Sequence, residues 1–269
     1  MTLDDLKAFE ALVRQHYPAL RVEFKDRSST QRLLGYLMYP FNPTFMTRYT
    51  STFAPVVYFP SKDFYEGNPK ASINVLAHEW VHLIDTERHP WWFRLSYVFP
   101  QVLAPFGFLT YIVLARSHAW PLAALLVGVA LSILLSRVSM AAFFLAASVS
   151  LIGSIALAIW TSGWATLALL LGFLFLAPWP APGRVHWEQR GYAMTLAFYR
   201  WTFGYVPQIL RDSIQRSFLD SSYFFMSWRK AAIQQWVNDT VGQAASGKLA
   251  EQEPYGLVYD FLRSRNLVK

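Results

Sequence analysis

Along residues 3–16 apolar and polar positions alternate at helical spacing, with Thr2 or Asp4 placed to cap the start, which predicts an amphipathic helix. "RVEFKD" from Arg21 reads as a short strand. "STQRLLGYLMY" from Ser29 reads as a second helix, stopped by Pro40 and the turn-forming "FNP" that follows. Next, "TRYTSTFAPVVYFPS" is rich in Thr, Tyr, Val and Phe and predicts one or two strands broken near Pro55. "ASINVLAHEWVHLID" then returns to helical spacing, so the first part of the chain predicts a small α+β layer.

After Arg94 the pattern changes. The 89 residues between Arg94 and Arg184 carry only two formal charges, Arg116 and Arg137, and their amphipathic period is weak. The block divides into four apolar stretches, residues 95–115, 118–136, 138–160 and 163–179. At about 20 residues per span, these predict four membrane helices joined by tight turns, with two as the fallback and a helical bundle away from any membrane as the rival reading. "APWPAPG" ends the block. "RVHWEQRGYAMTLAFYRW" resumes a charged helical pattern, and amphipathic helices rich in aromatics follow to the end.

Composition and charge sharpen this division. Apolar residues make up 54% of the chain against 15% charged, an excess concentrated in the central block. Net charge is +7, with eleven Lys and Arg through Arg94 and eleven from Arg184 onward. The positive-inside rule would put both flanks, and hence both termini, on the cytoplasmic side of a bilayer. No basic stripe interleaved with aromatics is present, so nucleic acid is not an expected partner. The N-terminus lacks the order of a secretory signal peptide.

The chain has no cysteine, so a metal would have to be held by imidazole and carboxylate. The stretch "VLAHEWVHLID" contains such a set. His78 and His82 lie four residues apart, on one face of a helix, where both can reach one Zn2+. Glu79 is offset by one position and suited to take a proton from a zinc-bound water. The five-residue pattern is weak alone. Its setting, after a strand-like segment and among apolar Val75, Leu76, Val81 and Ile84, strengthens it.

With "HEWVH" and the later "HWEQRGYA", the sequence resembles the zincin metallopeptidases, and more narrowly the gluzincins of HtpX and CAAX-processing type. That resemblance implies a third ligand, Glu188, from a downstream helix, and a fourth position left for water. It rests on about 40 residues. Those families usually carry alanine and aspartate three and four residues after the glutamate, where this chain has Gly191 and Tyr192, and they have membrane spans before the motif. His186 is the alternative third ligand. Asp85 reads either as a carboxylate orienting a histidine or as a solvated helix-end acid. Tyr192 is the first candidate to stabilise an oxyanion, with Arg190 and Tyr205 as alternatives. "TFAPVVYFP" is either an edge strand that receives an extended peptide or a plain core strand.

Together these readings predict a mainly helical α+β, zincin-like catalytic domain. Residues 1–94 and 184–269 would form its halves, and a multi-pass transmembrane helical insert at 95–183 would interrupt it. The expected protein is an integral membrane zinc metallopeptidase, its site facing the cytoplasm, with a lipid bilayer and a polypeptide substrate as partners. The rivals are a noncatalytic membrane protein with a structural or degenerate metal site, and a metal-dependent hydrolase of a nonpeptide bond.

Overall fold

The computed structural model describes residues 1–39, 42–99, 180–220 and 226–269. Helix α1 (Leu3–His16) opens with a reciprocal cap. The Thr2 hydroxyl accepts from the Asp5 N–H, and the Asp5 carboxylate accepts from the Thr2 N–H, so two otherwise orphaned donors are satisfied. Strand β1 (Arg21–Phe24) leads through a 3-10 turn, Lys25–Arg27, into α2 (Ser29–Met38) and the single turn α3 (Phe45–Arg48). Strands β2 (Ser51–Phe53) and β3 (Val56–Phe59) flank Pro55. The sheet order is β1-β3-β2, with β1 parallel and β2 antiparallel to β3. Among the described residues β2 therefore pairs on one side only.

Helix α4 (Lys62–Gly67), capped by Ser61, precedes the long α5 (Pro69–Arg88). Asn68 caps α5 by accepting from the Ala71 N–H, and Pro69 occupies the first helical position, where its missing N–H has no consequence. Pro90 then starts a separate helix, α6 (Pro90–Val98). On the far side of the central block lie α7 (Pro182–Phe203), α8 (Gln208–Leu219), α9 (Lys230–Ala245) and α10 (Tyr255–Ser264). Gly204 ends α7 in the left-handed region at φ 78°, returning its N–H to the Arg200 carbonyl.

The two halves share one core. Leu6 and Phe9 of α1, Val57 and Phe59 of β3, and Ile73, Leu76 and Leu83 of α5 pack with Met194 and Phe198 of α7 and Val258 and Leu262 of α10. A second cluster, with Leu196, Ile214, Phe218, Ile233 and Val237, fastens α8 and α9 to the other side of α7.

The transmembrane part of the expected fold, and with it the multi-pass location and the cytoplasmic placement of termini and site, is corrected here. Among the described residues no helix is long and apolar enough to cross a membrane. The two longest, α5 and α7, have 20 and 22 residues but carry Lys70, Glu79, Asp85, Glu87 and Arg88 in one and Arg184, Glu188, Arg190 and Arg200 in the other. The start of the first proposed span, 95–115, falls in α6, whose nine residues extend only about 14 Å against a hydrocarbon core of about 30 Å. The rest of that span past Phe99, and the spans at 118–136, 138–160 and 163–179, lie outside the described residues.

Candidate metal centre

Helix α5 turns Ile73, Leu76, Ala77 and Leu83 to the core and lays His78, His82 and Asp85 against α7. Helix α7 answers with Glu188, Gly191, Tyr192 and Thr195, which recur at the three- and four-residue spacing of one helix face. The Nε2 atoms of His78 and His82 stand 3.2 Å apart, and Glu188 Oε2 lies 3.7 Å from the first and 4.0 Å from the second. All three ligating atoms fall within 4.8 Å of one another. Bonds of about 2.0–2.2 Å to one tetrahedral ion would separate its ligands by roughly 3.3–3.6 Å, so the triad needs little adjustment to close on a metal.

Gly191 supplies the room. A Cβ there would stand 2.6 Å from His78 Nε2 and 2.9 Å from His82 Nε2, in the space that the ligating nitrogens face. The α7 backbone approaches the imidazoles closely only because this residue has no side chain.

Two of the three ligands, His78 and Glu188, are held from behind by hydrogen bonds. His78 Nδ1 lies 3.2 Å from Thr195 Oγ1, and the Tyr97 hydroxyl donates to Glu188 Oε1. His82 Nδ1 is buried with no hydrogen-bond partner among the described residues, and the rings of Phe93 and Tyr97 stand beside that imidazole. Burial alone would raise the Glu188 carboxyl, but the two histidines and Tyr97 outweigh it and hold it down at about 2. Burial also pulls both imidazoles down. It prevails at His82, whereas at His78 the Glu188 and Glu79 carboxylates overcome it and carry the ring above the ordinary histidine value. Burial keeps the Tyr97 hydroxyl well above 10, so it stays a donor across the working pH range.

Glu79 is buried but stands apart from the triad. Its Oε2 accepts from the Thr52 hydroxyl of β2 at 2.7 Å. Tyr192 sets its ring edge-on to His78, with centroids 4.9 Å apart, and its other side against Phe218. Among the described residues Asp85 hydrogen-bonds no histidine. It is 2% exposed and is held by Arg190, whose Nε lies 3.0 and 2.9 Å from its two oxygens, while Tyr255 donates to the Arg190 carbonyl. That pairing engages Nε and Nη2 of Arg190 with Asp85. Tyr205 lies exposed beyond the end of α7, and His186 points to solvent against Trp187.

Sequence reasoning missed Tyr97, Thr52, Thr195 and Gly191. Tyr97 fell inside a proposed membrane span, and the other three meet the site only through contacts between elements. The departure from alanine at position 191 was the one local signal available. In comparisons with protein-family models, curated proteins and solved structures, none matches this chain.

Proposed function

We propose that this chain is a zinc-dependent hydrolase of peptide bonds. The observation that carries this reading is the convergence of two imidazoles and a carboxylate within 4.8 Å, with a second carboxylate, Glu79, on the same helix but outside the ligand set. Three protein ligands match a catalytic zinc site, which keeps a position open, whereas structural zinc is closed by four. His78, His82 and Glu188 would hold the ion, and their donor set of imidazole nitrogen and carboxylate oxygen suits zinc. When bound, zinc supplies Lewis acidity for the scissile carbonyl and lowers the pKa of water.

The chain's own groups do the rest. Glu79 takes the proton of the attacking water and passes it to the leaving amine, with Oε1 left for this task while Oε2 is occupied by Thr52. Tyr192, whose ring stands edge-on to His78, is the side chain assigned to donate to the developing oxyanion. An extended peptide would add to β2, which among the described residues pairs only with β3 and whose Thr52 touches the base.

Metal analysis of the purified chain beside Glu188→Ala and Glu79→Gln tests this reading. The expected result is one zinc per chain in the wild type, a large loss in Glu188→Ala, and full zinc without peptide hydrolysis in Glu79→Gln. A wild type that binds no zinc overturns it, and undiminished hydrolysis by Glu79→Gln overturns the assignment of the base.

A further inference from the structure

We propose that Thr52 is a positioning residue that fixes the Glu79 carboxylate for proton transfer. The inference rests on the hydrolase reading above and adds to it a residue from the edge strand.

Glu79 is an acceptor-only carboxylate on a flexible stem, so an unsupported Glu79 would sample several rotamers, most of them unproductive. Thr52 is its one side-chain hydrogen-bond partner among the described residues, at 2.7 Å. The hydroxyl must donate, because the ionised carboxylate can only accept. Thr52 is well suited to hold a direction. It pairs with Val57, which is fully buried, so both side chains lie on the sheet face turned to α5. Its β-branch restricts χ1, so the strand backbone determines where the hydroxyl points.

Among the described residues Lys25 makes no hydrogen bond to Glu79. Its ammonium feels the charge of Glu79, but it donates to the Phe45 carbonyl at 3.0 Å and sits over the Phe45 ring. Thr52 also links two functions in one residue. The strand offered to an extended substrate is the strand that holds the base, so binding of the peptide backbone and alignment of Glu79 share one rigid support.

The test compares zinc-loaded wild type, Thr52→Val, Thr52→Ser and Glu79→Gln. Valine keeps the shape and β-branch and loses only the hydroxyl; serine keeps the hydroxyl. Two readouts are used, steady-state kinetics on a peptide cleaved by the wild type and the dissociation constant of acetohydroxamate, a zinc-chelating probe whose hydroxyl proton is shared with the neighbouring base. In Thr52→Val, kcat should fall about 10- to 100-fold with KM within about twofold, as expected for loss of one hydrogen bond to a charged group. Acetohydroxamate affinity should fall with it, zinc content should stay at the wild-type level, and Thr52→Ser should recover most of both losses.

Wild-type kcat and probe affinity in Thr52→Val, with both reduced in Glu79→Gln, would overturn the positioning role and leave the hydrolase reading standing. A fall in Thr52→Val confined to KM would overturn it equally. Probe affinity indifferent to Glu79→Gln would overturn Glu79 as the base and the positioning role with it, whereas a wild type that binds no zinc would overturn the hydrolase reading itself.

Discussion

Gly191 has no side chain, and the site depends on that. A methyl group at this position would press on the ends of both imidazoles at 2.6 and 2.9 Å, and the rings could yield only by leaving the geometry that faces Glu188. Elsewhere in a helix, Gly→Ala raises stability by up to about 1 kcal/mol. Here, Gly191→Ala should keep or raise the helix content while zinc affinity falls by about 10-fold or more, as displaced metal ligands commonly produce. Circular dichroism beside zinc titration with a competing chelator separates the two effects, and unchanged affinity would show that the rings have slack.

At the scale of elements, the site is the seam between α5 and α7, and the Asp85–Arg190 pair pins that seam beyond the ligands. Asp85 lies one turn after His82, and Arg190 two residues after Glu188, so the pair sets the register in which the two helices present their ligands. Asp85 is buried and Arg190 part-exposed, so removing the arginine strands a carboxylate in a dry interface. Arg190→Ala should cost about 3 kcal/mol or more in urea unfolding, whereas the paired Asp85→Leu, Arg190→Leu variant should recover much of it. Equal losses in the single and double variants would mean that shape, rather than charge, holds the seam. Helix α6 adds a third wall through Tyr97, whose hydroxyl donates to Glu188 beside the two histidines of α5.

For the whole molecule, Lys25 ties fold stability to pH. Its side chain is fully buried, and burial brings its pKa from the ordinary 10.5 down to about 7, only partly countered by Glu79. Between those two values the unfolded chain holds the extra proton, so stability rises as pH rises and is lowest, for this group, at and below about pH 7. At 1.36 kcal/mol per pH unit, raising pH from 7 to 9 should contribute about 2–3 kcal/mol through Lys25 alone. The difference in unfolding free energy between wild type and Lys25→Met should shrink or reverse by that amount over this range. A difference independent of pH would mean that Lys25 keeps its proton in the folded state.

Much of the local order was legible in the sequence. The helix at residues 3–16, the strand from Arg21, the break at Pro55, the motif helix and the helix after "APWPAPG" follow from period, caps and breakers, which act within a few residues. The motif helix runs beyond the expected span, from Pro69 to Arg88, because Asn68 supplies the cap and Pro69 the first turn. The histidine pair was legible for the same reason, since four residues on a helix fix two side chains on one face. The transmembrane expectation rested on hydropathy alone, which reports how unfavourable water is for a segment; past Phe99 the proposed spans lie outside the described residues, and among those described no helix is long and apolar enough to cross a membrane. Only the tertiary structure decided which groups complete the site. Glu188 lies 106 residues beyond His82, Thr52 reaches Glu79 from another strand, and Tyr97, Gly191 and Arg190 acquire their roles from the close packing of helices. Local sequence sets which face a residue occupies; the docking of α7 on α5, driven by a core shared between distant halves, sets what that face meets.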